Sequence, residues 1–127
     1  GYNAHNIRLF DFINRMDFAY AAADVIISRA GAGTISELCL VAKPSILVPS
    51  PNVAEDHQTH NAMALVKNNA AVMVTDANAK LELVNTAIAL VSDNAKLKDL
   101  SANILKMALP NSANIIAGEV LKISNKE

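Results

Sequence analysis

Three short apolar runs alternate with segments of helical period, and that alternation limits what the chain can fold into more than any other feature. Asp24-Val25-Ile26-Ile27-Ser28, Ser45-Ile46-Leu47-Val48 and Ala70-Ala71-Val72-Met73-Val74 are nearly solid apolar stretches, the pattern of strands covered on both faces. Between the first two, Ile35, Leu38, Cys39 and Ala42 recur at i, i+3, i+4, i+7. That is the stripe of an amphipathic helix, opening at Thr34 and stopping at Lys43-Pro44, because the residue before proline disfavours helix. A second helix is expected over His57 to Lys67, a third on Leu83, Val84, Ala87, Ile88 and Val91, and a fourth on Leu97, Leu100, Ile104 and Met107. A last helix, after Pro110, carries Ile116, Val120 and Ile123 ahead of a polar tail at 124–127. Upstream, Ile7 to Phe10 reads as a short strand and Met16 to Ala23 as an Ala-rich helix. Strand–helix alternation of this kind predicts an α/β fold, a parallel sheet with helices on both faces.

Composition agrees and removes several functions. Hydrophobic residues make up 52% and aromatics only 4% of the 127 residues, so the core is aliphatic. Net charge is −1 with no basic block, which speaks against a nucleic-acid partner, whose phosphates call for a basic stripe. The single cysteine, Cys39, has no internal partner for a disulfide. Inside an apolar run it is expected to be a buried thiol in a reducing compartment. No apolar run approaches the ~20 residues of a membrane-spanning helix, and no signal peptide is read. The chain opens with Gly1, which reads as one truncated domain of a longer protein, spanning 1–127.

In parallel α/β sheets, ligands bind outside the carboxyl ends of the strands. Two loops qualify, 29–34 and 49–57. In the first, Gly31-Ala32-Gly33-Thr34 joins a strand to a helix. Small residues there admit a close ligand, and the helix N-terminus offers unpaired N–H groups to a phosphate. Glu37 lies one turn in, where a carboxylate can accept from both hydroxyls of a ribose. Thr34-Ile35-Ser36-Glu37 also fits a capping box, with Thr34 as N-cap and Glu37 reaching back to it. The segment alone leaves both readings open. It lacks the third glycine of the dinucleotide fingerprint. The second loop leads into Gln58 and Asn61, spaced i, i+3 on one helix face. Neutral amides both donate and accept, which suits sugar hydroxyls, although an ordinary solvated helix start would look the same. His57 and His60 share that segment without a His-Glu-x-x-His pattern or a Cys partner, so no metal site is assigned. No nucleophile elbow or carboxylate pair stands out, so the chain reads as a binder with no catalytic group of its own.

Taken in order, Phe12-Ile13-Asn14-Arg15-Met16, Tyr20-Ala21-Ala22-Ala23-Asp24, the run from Ser28 to Glu37, Lys43 to Pro49, and Asp56-His57-Gln58-Thr59-His60-Asn61 resemble the MurG family of glycosyltransferases. The resemblance covers about Phe10 to Ile123. It implies the C-terminal half of a two-domain enzyme with Rossmann-like domains, lacking that half's first strand and helix. It further implies transfer of N-acetylglucosamine from UDP-N-acetylglucosamine (UDP-GlcNAc) to a lipid-linked acceptor, lipid I, giving lipid II of peptidoglycan. Under it, the Ile13 backbone pairs with the uracil edge. Ala32, Gly33 and Thr34 meet the diphosphate and sugar, Glu37 takes the ribose hydroxyls, and Gln58 and Asn61 read the GlcNAc hydroxyls. Family members often carry a second glutamine where this chain has His57.

The same resemblance implies no cofactor and no metal. It also implies a cytoplasmic protein, held peripherally on the inner face of the plasma membrane through parts outside this chain, where the acceptor site and catalytic base belong. Two other functions fit the residues: a natural half-transferase that needs a partner chain, and a non-catalytic nucleotide-binding module. Without a preceding strand and helix, exposed apolar surface is expected to drive self-association.

Overall fold

A computed structural model describes residues 6–51 and 57–108. The expected helix after Pro110, the polar tail and most of the Pro51 to Asp56 loop lie outside the described residues. The chain runs α1 (Met16–Ala22), β1 (Ile26–Ser28), α2 (Ala32–Val41), β2 (Ser45–Leu47), α3 (His57–Lys67), β3 (Val72–Met73), a turn of 3₁₀ helix (Asp76–Asn78), α4 (Ala79–Val91) and α5 (Asn94–Ala108). The strands form one parallel sheet in the order β1-β2-β3. Ile26, Ile27 and Ser28 lie opposite Ser45, Ile46 and Leu47, and Val72 and Met73 lie opposite Ile46 and Leu47.

β2 is central and wholly buried, and its alternation divides the core. Leu47 joins Ala30, Leu38, Cys39, Ala62, Leu65, Ile104 and Ala108 on one face, packed by α2, α3 and the end of α5. Ile46 and Val48 join Val74, Leu90 and Leu100 on the other, packed by α4 and the start of α5. Helices therefore cover both faces of β2, as its solid apolar run requires, whereas the edge strand β1 is less covered than its apolar run suggests, with Ile27 47% exposed. Each fully buried Leu or Ile contributes about 1.5–3 kcal/mol. Ser45, the buried polar residue of β2, donates its hydroxyl to the Lys43 carbonyl at 2.9 Å. Cys39 is buried, and burial pushes its thiol pKa up.

The elements differ from the sequence reading in several places, β1 among them, which begins at Ile26 rather than Asp24. Residues 7–10 form no strand, and Leu9 is 78% exposed. Their pattern suits a strand, but β1 pairs with β2 alone and no ladder reaches them. β3 is shorter than its apolar run, although Ala70, Ala71 and Val74 are buried beside it. α4 begins at Ala79, well ahead of its apolar stripe. α2 begins at Ala32 rather than Thr34 and closes on Ala42, which adopts the left-handed conformation (φ 54°, ψ 39°). The Ala42 carbonyl is held there by the Ser101 hydroxyl of α5 at 2.6 Å. Among the described residues, no helix is long and apolar enough to cross a membrane.

Candidate functional site

Parallel pairing brings the carboxyl ends of all three strands to one edge of the sheet. The connections after β1, β2 and β3 emerge there together, and three side chains tie them. Arg29, just past β1, sends Nη1 to Asp76 Oδ1 at 2.6 Å and to the carbonyls of Val48 and Pro49 at 3.3 and 3.4 Å. Gln58, in the first turn of α3, accepts at Oε1 from the Ala30 N–H (3.1 Å) and the Ser50 N–H (2.8 Å). Asn61, one turn on, donates Nδ2 to the Ala30 carbonyl at 3.1 Å. Both polar groups of the Ala30 backbone, a fully buried residue, are thus held from α3. Pro49, Pro51, Thr59, Met73, Thr75, Asp76 and Ala77 line a cavity of about 350 Å³ beside these ties.

The β1–α2 turn that this frame positions is open. Gly31 is the N-cap of α2, and no side chain caps the helix. Ile35 N–H makes the first helical bond, to the Gly31 carbonyl at 2.9 Å. The N–H groups of Ala32, Gly33 and Thr34 precede it and have no partner within the helix. Ala32 and Gly33 are exposed. The fold does not itself demand glycine here. Gly31 sits at φ −67°, no described glycine has positive φ, and a Cβ on Gly31 or Gly33 would meet nothing within 4 Å.

The earlier start of α2 removes the capping box. Thr34 is the third residue of the helix, and Glu37, three residues later, lies a turn beyond it on the same side. Glu37 is exposed, and its Oε2 accepts from the Tyr20 hydroxyl of α1 at 2.8 Å. Burial, together with the hydrogen bond and charge of Glu37, pushes the Tyr20 pKa up.

The structure therefore draws Ala32, Gly33 and Thr34 together with Gln58 and Asn61, linked through Ala30. Glu37 extends the same helix face. Ile13 stays in irregular chain ahead of α1, 40% exposed, and none of the hydrogen bonds described ties it to the others. Tyr20, Arg29 and Asp76 join the site only in the structure. Tyr20 stands out as the one hydroxyl in an Ala-rich helix. Nothing local in the sequence joins Arg29 to Asp76, 47 residues on. Among the described residues, no cluster of three or more His, Cys, Asp or Glu is grouped to hold a metal ion.

Comparison with known proteins matches residues 1–116 to the glycosyltransferase family 28 C-terminal domain. The chain is 58% identical over 122 residues to a UDP-N-acetylglucosamine--N-acetylmuramyl-(pentapeptide) pyrophosphoryl-undecaprenol N-acetylglucosamine transferase of Bacteroides thetaiotaomicron, covering 96% of this chain and 33% of that protein. It is 56% identical over 117 residues to the transferase of the same description from Porphyromonas gingivalis strain W83, covering 92% and 31%. The crystal structure of Acinetobacter baumannii MurG superposes with a TM-score of 0.76 at 30% identity, covering 91% of this chain and 33% of that one. The chain spans about a third of the length of these relatives.

Proposed function

The chain belongs to the glycosyltransferase family 28 C-terminal domain family, and on that premise we propose that it binds UDP-GlcNAc as the donor-binding domain of an inverting transferase that converts lipid I to lipid II. The observation that carries this reading is the uncapped start of α2 at the carboxyl edge of a parallel sheet. Three N–H groups and the positive end of the helix dipole meet a diphosphate there without a basic side chain or a cofactor. Glu37, a turn farther along, accepts the two ribose hydroxyls. Ile13 pairs through its backbone with the uracil. A GlcNAc ring is read by the far ends of the two amides, the Gln58 NH₂ and the Asn61 oxygen, because their other ends hold Ala30 and Ser50.

The chemistry follows from that placement. An acceptor hydroxyl attacks the anomeric carbon from the face opposite the diphosphate. A new carbon–oxygen bond forms, the bond from the anomeric carbon to the phosphate oxygen breaks, and UDP leaves. The leaving diphosphate gains negative charge, and N–H groups already aimed at it stabilise that charge as it develops. The proton of the acceptor hydroxyl goes to a base outside this domain. The acceptor site and the contact with the inner face of the cytoplasmic membrane likewise belong to the rest of such a transferase. The domain's own share is orientation and leaving-group stabilisation.

An NMR titration of the chain with UDP-GlcNAc tests the reading. Amide signals of Ala32, Gly33 and Thr34 should move first, with Glu37 and Gln58 following. Shifts confined to other parts of the sheet, or none at millimolar donor, would sink it.

A further inference from the structure

Glu37 is not left to itself on α2. Tyr20, 17 residues earlier on α1, donates its hydroxyl to Glu37 Oε2 at 2.8 Å. α1 has no buried residue, and Tyr20 is the α1 residue whose ring packs against the core cluster of α2, α3 and α5. A half-buried ring with two rotatable bonds fixes where its hydroxyl stands. An exposed glutamate with three rotatable bonds has no such anchor of its own. A ribose presents two adjacent hydroxyls, so the carboxylate that reads them must hold one orientation. A carboxylate has about four acceptor positions, so the phenol and both ribose hydroxyls can share it.

We infer that Tyr20 is a positioning residue for the nucleotide's ribose: its hydroxyl, seated by the packing of its ring, holds the Glu37 carboxylate in the orientation that meets the 2′ and 3′ hydroxyls. The inference rests on the reading of Glu37 as the ribose acceptor. A phenol is a donor throughout neutral pH, and burial with the Glu37 contact moves the Tyr20 pKa further up.

The test compares UDP with 2′,3′-dideoxy-UDP, by NMR titration of the chain and of its Tyr20→Phe, Glu37→Ala and doubly substituted forms. Tyr20→Phe keeps the ring and removes one oxygen. It should weaken UDP about three- to tenfold, the range of one hydrogen bond, and leave the dideoxy nucleotide unchanged. In the Glu37→Ala background it should add nothing, because there is no carboxylate left to position. Equal losses for both nucleotides would mean that Tyr20 acts through packing, and would overturn the inference. A second readout needs no ligand: Glu37→Ala should lower the pH at which the Tyr20 phenol titrates. No change there would also overturn it. If Glu37→Ala leaves the preference for UDP over dideoxy-UDP intact, the ribose reading of Glu37 is what has failed.

Discussion

Gly33→Ala separates what the fold needs at the start of α2 from what a ligand needs. Gly33 is the second residue of the helix, its φ is not positive, and an added Cβ would meet nothing within 4 Å. Alanine at such a site restricts the unfolded chain without straining the folded one, a gain of about 0.4–1 kcal/mol. In a domain of this size that raises Tm by about 2–4 °C. Binding should move the other way. A methyl on the exposed first turn stands where phosphate oxygens must come within about 2.9 Å of the backbone N–H groups. Losing one hydrogen bond to a charged group costs about 1.5–3 kcal/mol, so UDP affinity should fall tenfold or more. Thermal melts and UDP titrations on the same preparation read both quantities. A lower Tm would show that the fold does require glycine here. A higher Tm with unchanged UDP affinity would show that the diphosphate does not sit on the α2 N-terminus.

Glu37→Ala should weaken UDP-GlcNAc at least about tenfold through the lost charged acceptor while shifting Tm little, since Glu37 closes no capping box; an early melt with intact affinity would reverse that assignment. Ala42→Gly should add about 1 kcal/mol of stability, because a left-handed alanine carries a penalty that glycine does not; a denaturant midpoint that falls would show that the Ala42 side chain contributes more than its backbone strain costs. Leu81, Val84, Ile88 and Val91 lie along one side of α4, 80%, 68%, 61% and 50% exposed, and Ile27 on the edge strand β1 is 47% exposed. Light scattering should therefore detect dimers or larger species, and Val84→Lys with Ile88→Lys should reduce them; a monodisperse monomer at high concentration would count against this surface being sticky.

The architecture was legible because it rests on period. The alternation of solid runs with helical stripes specifies a parallel sheet covered on both sides, and α3 fell on its expected residues, His57–Lys67. The features that local pattern does not announce depend mostly on partners distant in sequence. Residues 7–10 have the composition of a strand, but a strand exists only where another offers it a ladder. The first turn of α2 was hidden because Gly31 and Gly33 are poor helix formers, which pushed the apparent start to Thr34 and created a capping box on paper. The bond from Tyr20 to Glu37 and the clamp from Arg29 to Asp76 join residues 17 and 47 positions apart, and no local pattern announces either.

Gln58 and Asn61 show how the frame and the site are entangled. They form a polar pair on one face of α3, and both grip the backbone of Ala30, immediately before the turn that faces the proposed diphosphate. Removing Gln58 therefore has two effects. Gln58→Ala strips the acceptor from the N–H groups of Ala30 and Ser50, at about 1–3 kcal/mol for each N–H left without one. It also loosens the 29–34 segment from the 48–50 segment, so UDP itself should bind less well, whether or not Gln58 touches a sugar. Loss of donor binding in that variant cannot assign a sugar contact. Gln58→Glu can, because a carboxylate oxygen still accepts from both N–H groups while the NH₂ donors are gone. UDP, with its free terminal phosphate, carries about one more negative charge at neutral pH than UDP-GlcNAc, so the added carboxylate opposes UDP the more and cannot itself produce a larger loss for UDP-GlcNAc. With Tm near that of the unsubstituted chain, Gln58→Glu should weaken UDP-GlcNAc by a larger factor than UDP. A smaller factor for UDP-GlcNAc than for UDP would leave Gln58 a structural tie between two loops, and the reading of GlcNAc would have to come from elsewhere.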